Sequence, residues 1–297
     1  MEPKTNDHFP TSVARWGIIF VLMAAALAGC VCHEKSQRDG ARVAPPPAVS
    51  APGVEKPTVP PVAAVAALPV VAVPPAVVAV ATNSLTITGR VRLRGTPPPE
   101  KEIPIDPVCA QVRGGRPLTT RFFVCGTDAG LADVFVHLRG GVAGQKYPPP
   151  AKPVEIKTIG CEFQPYVTAA QTGQSVVVRN LDSMFHNIHA TPSAPGSREI
   201  SKAQIPKGPE VKFVFYQPEL FLRFKCDVHP WMFAYVNVIE HPFFGMTDTN
   251  GVFHMPLPPP GRYEIEAVHR RAGKSVQTIE VEAGKELKLD FTMDVSP

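Results

Sequence analysis

The sequence predicts an all-β protein built of β-sandwiches, and three observations lead there. Short runs of alternating apolar and polar residues recur from about residue 85 onward. Clusters of Pro, Gly and Asn separate those runs. No segment carries the apolar periodicity of a long amphipathic helix. Period-two runs between frequent turns are the pattern of sandwiches, in which each strand buries one face.

In the first run, Ile87, Val91 and Leu93 alternate with Thr86, Thr88, Arg90 and Arg92, and residues 132–139 repeat the pattern. Between them, 96–126 is broken by Pro and Gly and reads as mostly loop. Further strands are expected at 153–159, 174–180, 211–216, 220–225 and 235–240, then at 252–255, 262–269, 277–282 and 287–293. Asn250-Gly251 between apolar runs is a hairpin signal.

The first third of the chain reads differently. Arg15 precedes an apolar run, 16–27, that ends in Leu27-Ala28-Gly29-Cys30. A positive start, a short apolar core and small residues before a cleavage point form a secretory signal. The run is short for a membrane span. Leu-Ala-Gly-Cys resembles the lipobox of bacterial lipoproteins, which implies cleavage before Cys30 and lipidation of that cysteine. Residues 30–82 are then a Pro/Ala/Val-rich tether, extended by prolines that forbid regular structure. The expected location is the periplasmic side of a bacterial envelope, on the outer membrane. A net charge of +4 without a Lys/Arg stripe excludes a nucleic-acid binder.

The chemistry concentrates in two short stretches. Cys226-Asp227-Val228-His229-Pro230-Trp231-Met232 sets a thiol, an imidazole and a thioether at even spacing just after a strand. Met184-Phe185-His186-Asn187-Ile188-His189 lies upstream. One thiolate and two imidazoles with a weak thioether form a mononuclear type 1 copper site, suited to both oxidation states of the metal. Cys226, His229 and Met232 come from one loop, and His186 or His189 supplies the second imidazole. Zinc prefers four N/S ligands without a thioether. His137, His241, His254 and His269 are isolated and read as surface or core residues.

The Cys226–Met232 loop resembles that of the amicyanin-like, short-loop members of the plastocyanin-like cupredoxins, which share the Cys, His and Met spacing and the Pro after the His. The 184–189 stretch resembles that family's Met-Pro-His-Asn-Val-His, with Phe185 in place of proline. Gln217-Pro218-Glu219-Leu220 replaces the family's usual turn before the cysteine. The resemblance covers roughly residues 154–240. It implies a Greek-key β-sandwich with His186 as the second imidazole ligand, and Asn187 and Asn180 as supports that tie the loops together. It leaves His189 beside the site and not on the metal. Trp231, Pro230 and Phe185, if gathered around an exposed His229 edge, would form an apolar docking patch for a redox partner.

The end of the chain resembles a carboxypeptidase regulatory-like (transthyretin-like) β-sandwich, on residues 247–253 and on Leu257, Gly261, Tyr263 and Ile265. That family's first strands resemble residues 87–91 and 132–134. The resulting expectation is an insertion. Residues 83–140 and 242–297 build one sandwich, and 150–241 form the cupredoxin domain inside it. The alternative is two consecutive domains. As a whole the chain resembles exported bacterial proteins of the plastocyanin-like or methylamine-utilisation type, which pair two such modules. Of the remaining cysteines, Cys109–Cys161 is the expected disulfide in an oxidising compartment, with Cys125 buried and free.

The expected function is a lipid-anchored single-electron carrier with one copper per chain. It carries no catalytic constellation and acts as a monomer. Its partner would be a redox protein such as a c-type cytochrome or a dehydrogenase. The competing functions are a periplasmic copper store, which would want a Met/His-rich exchangeable site, and a structural or carbohydrate-binding β-protein without copper.

Overall fold

A computed structural model describes residues 85–295 except 143. The signal, Cys30 and the tether lie outside the described residues. In chain order the elements are β1 (Thr86–Arg94), β2 (Glu102–Ile103), α1 (Pro107–Val112), β3 (Leu118–Thr119), β4 (Phe135–Leu138), β5 (Val154–Thr158), β6 (Phe163–Gln164), β7 (Val167–Gln171), β8 (Ser175–Asn180) and β9 (His186–Thr191). They continue with β10 (Ile200–Gln204), β11 (Val211–Val214), β12 (Glu219–Lys225), β13 (Phe233–Ile239), β14 (Phe244–Met246), β15 (Val252–Pro256), β16 (Gly261–His269), β17 (Gly273–Val281), β18 (Leu287–Lys288) and β19 (Phe291–Asp294). The fold is all-β, as the alternation predicts.

Strands from the two ends of the described chain build one sandwich. β1 pairs with β15, β18 and β19, and the facing sheet runs β14-β4-β16-β17. Val91 and Phe253, from opposite ends of the sequence, share its core with Phe291, Ile265 and Val136. Complete burial of a side chain such as Phe253 contributes roughly 2–3 kcal/mol. The middle of the chain makes a second sandwich, from the sheets β10-β9-β12-β13-β7 and β11-β8-β5-β6. Ile156, Val178, Phe213 and Phe224 fill its separate core.

β4 reads in sequence as a half-buried strand, yet all four of its residues are buried. Val136 and Leu138 face the first core. Phe135, on the other face, packs against Ala169 and Ile239 of the second sandwich. An alternating strand loses its wet face when another sheet covers it.

Three local expectations are corrected. The Asn250-Gly251 turn forms, with Asp248 Oδ1 accepting the amides of Asn250 and Val252. It does not make a hairpin, because β14 and β15 belong to opposite sheets. Gly251 has φ +75°, and a Cβ there would stand 2.2 Å from the Val91 carbonyl oxygen, so the turn is wedged against β1 and steered across the core. Segment 96–126 contains the β2–β3 ribbon and helix α1. Cys125 is free but exposed, and its backbone forms an isolated antiparallel bridge with that of the buried Leu131.

Candidate metal centre

The five-stranded sheet sets the ligand residues side by side. β12 lies between β9 and β13, with Lys225 opposite His189 on one side and Phe233 on the other. The loop 226–232 therefore leaves and rejoins the sheet at adjacent points. Two backbone bonds close it, Cys226 N–H to Met232 O (3.2 Å) and Met232 N–H to His229 O (2.9 Å). Strand period decides between the two upstream histidines. His186, Ile188 and Ala190 of β9 face the core, so His189 faces the other way. His189 instead contacts Asp227 (2.8 Å) and Glu199 (3.1 Å) at the surface.

Three ligand atoms converge in a buried space. His186 Nδ1 is 3.1 Å from His229 Nδ1, which is 3.6 Å from Cys226 Sγ. His186, Cys226 and His229 are only 0, 2 and 7 % exposed. Donors held about 2 Å from a single ion stand roughly 3–4 Å apart, so this set fits one metal ion. Met232 is fully buried in the same core and ends the same loop.

The surroundings fix the donors. Asp182 Oδ2 accepts from His186 Nε2 at 3.0 Å, which leaves Nδ1 directed at His229. Asp182 is itself held by the amides of Gly160 and Cys161. The Asn187 amide donates to Cys226 Sγ (3.4 Å), and Asn187 Oδ1 accepts from the Asp227 amide (2.8 Å), so one residue joins both loops. Asn180 donates to Met184 O and accepts from Thr158 Oγ1 and the Asp182 amide, which pins the turn before His186.

The electrostatics describe a cation hole. Burial opposes a charge on His186, but Asp182 and the Cys226 sulfur outweigh it and raise the imidazole to about 9. Burial also opposes the Cys226 thiolate, but His186 and the amides of Asn187, His229 and Val228 bring its pKa down. For His229, burial and the neighbouring His186 charge lower the pKa. These directions favour a proton on His186 and the ionised form of Cys226, while His229 keeps its lone pair. A metal cation at this position would displace that proton.

Sequence reasoning missed a strap over the site. Asp106 caps α1 by accepting the Cys109 amide (2.8 Å), and its other oxygen is 3.7 Å from His229 Nε2. A disulfide joins Cys109 to Cys161, and Met184 Sδ lies 3.3 Å from Cys161 Sγ. The anticipated open edge of His229 is therefore covered. Phe185 and Pro230 are exposed, while Trp231 is half-buried and donates Nε1–H to Cys161 O at 3.2 Å. Asp106-Pro107 is a helix-start signal that would have revealed α1. Asp182 carried no such signal.

No protein-family model and no curated protein matches the chain. Part of it is similar to three kinds of solved copper protein. Over 30 % of its length it is 21 % identical to a copper-containing nitrite reductase from Thermus scotoductus SA-01, spanning 23 % of that chain with a TM-score of 0.28. Over 35 % it is 16 % identical to an oxidised amicyanin variant, spanning 97 % of it (TM-score 0.27). Over 29 % it is 22 % identical to a purple cupredoxin from Nitrosopumilus maritimus, spanning 98 % of it (TM-score 0.24). The functional reading rests on the ligand geometry.

Proposed function

We propose that this chain is a single-electron carrier holding one type 1 copper ion at His186, Cys226, His229 and Met232. The observation that carries the reading is the convergence of two imidazole Nδ1 atoms and one cysteine sulfur in a buried pocket, with a thioether at the end of the same loop. Bound copper would supply one-electron exchange at a soft, asymmetric donor set. The chain's own residues do the rest. Asp182 orients His186, the Asn187 amide stabilises the Cys226 sulfur, and the core around Ile188 and Phe224 keeps water away. A pre-organised donor set resists rearrangement when the charge changes.

Burial of His186 and Cys226 favours a carrier over a store, because a store needs ligands that exchange with solvent. We further propose that the lipobox-like Cys30 and the Pro-rich segment tether this carrier to the periplasmic side of an envelope membrane. There it would meet a cytochrome- or dehydrogenase-like partner. Among the described residues no helix is long and apolar enough to cross a membrane.

The deciding experiment adds Cu(II) to the metal-free chain and records its visible spectrum. An intense thiolate-to-copper band, absent in Cys226→Ser and His186→Ala, is expected. A colourless protein, or an unchanged spectrum in Cys226→Ser, overturns the reading.

A further inference from the structure

A cleft of about 370 Å³ opens beside the ligand loop, walled by Trp231, Met232, the 118–122 part of the strap and the β16–β17 turn. That is the size of a small-molecule site. Its charge is one-sided, for Arg121, Arg223, Arg270 and Arg271 line it with Glu162 as the sole acid. Glu162 is committed to Arg113, and Arg121 to Asp133. Arg223, Arg270 and Arg271 make no ion pair among the described residues.

Those three guanidinium groups lie over aromatic rings. Arg270 Cζ is 3.6 Å from the Tyr235 centroid, Arg271 Cζ 4.3 Å from that of Phe122 and Arg223 Cζ 4.5 Å from that of Phe233. Arg270 also donates to Tyr166 Oη at 2.9 Å. A guanidinium held flat on a ring keeps N–H edges available, and those edges match a carboxylate with two parallel hydrogen bonds. Gathering like charges in one cleft is unfavourable until an anion enters it. The half-buried Trp231 in the same wall adds a preference for a flat, unsaturated body.

We propose that this cleft binds a small aromatic carboxylate. The carboxylate sits among Arg223, Arg270 and Arg271, and the ring lies against the side chains next to Trp231 and Met232. The site goes beyond electron carriage and does not depend on bound metal. A ligand there would touch the wall that ends at the thioether, so it is placed to sense or modulate the centre.

The test is calorimetric titration of the full metal-free chain with 4-hydroxybenzoate, with benzamide and acetate as controls. Saturable binding at one site is expected for 4-hydroxybenzoate, with at least tenfold weaker affinity for both controls. Arg271→Gln and Arg223→Gln should each weaken binding at least tenfold while near-UV circular dichroism stays unchanged. Arg270 bridges the two sandwiches through Tyr235 and Tyr166, so Arg270→Gln is read only if its melting temperature is preserved. Absence of binding, equal affinity for benzamide or acetate, or wild-type affinity in the Arg223/Arg271 double variant overturns the proposal. Saturation only by an acidic protein also overturns it, by making the cleft a docking surface.

Discussion

The carboxylate of Asp106 stands 3.7 Å from Nε2 of His229, on the side of the imidazole turned away from Cys226. A ring that would otherwise present its edge to a partner meets instead a negative charge on a helical strap. Removing that charge while keeping the cap separates its two roles, since Asn caps nearly as well as Asp. Asp106→Asn should leave the melting temperature almost unchanged. It should raise the reduction potential of the copper-loaded protein, because a nearby anion favours the more positive metal state. Voltammetry of the two proteins checks the sign.

The strap depends on the Cys109–Cys161 bond, which closes a sequence separation of 52 residues. Loop-closure entropy for a ring of that size amounts to roughly 4 kcal/mol. Cys109→Ser should lower the unfolding free energy by about 2–4 kcal/mol. It should also speed reduction of the copper-loaded protein by a small reagent such as ascorbate. Denaturant melts and stopped-flow traces read the two effects, and unchanged stability would show that the strap is held by other contacts.

Asp182 orients His186 while holding two loop amides. Asp182→Ala should weaken copper binding by roughly 10–100-fold, the usual cost of losing a carboxylate behind a ligating histidine. Competition against a chelator of known affinity measures it. Asp182→Asn retains an acceptor and should recover part of the loss.

Acid sensitivity should come from two buried histidines outside the candidate ligand set. Burial depresses both His241 and His269 to about 4. Each uses Nδ1 to accept backbone N–H bonds, from Phe243 and from Arg271 and Ala272 respectively. A proton on Nδ1 would remove those bonds. The unfolded chain binds protons near pH 6.5 and the folded chain only near 4. Stability is therefore fully present above about 6.5 and falls as the pH drops toward 4, by up to about 1.4 kcal/mol per pH unit for each group. Urea melts of the metal-free protein between pH 7 and 4 should show this slope, and His269→Gln should flatten it.

The grouping of the candidate ligands was legible because it follows from local spacing. Cys226, His229 and Met232 sit on one loop; the family resemblance singled out His186, and the odd offset on β9 puts His189 on the opposite face. The all-β class was legible for the same reason. The parts that stayed hidden depend on distant contacts. Segment 96–126 lacks strand alternation, so its role in covering His229 emerges only when Cys109 meets Cys161. Asp182 is one more loop acid until β9 turns His186 toward it. The double burial of β4 arises because two sheets pack on one strand, and the crossing from β14 to β15 because the Gly251 turn is wedged against β1; no window of sequence contains either contact.

The pairing of β4 with β14 has one more consequence. Phe244 lies opposite His137 in the antiparallel ladder, and the Leu138 amide donates to Phe243 O at 3.2 Å. The polypeptide thus departs for the second sandwich and returns from it at neighbouring rungs. A short turn joining those two rungs would close the first sandwich without the intervening hundred or so residues. That stretch would carry the candidate ligand loops with it, and would leave behind Asp106 and the Cys109 half of the disulfide.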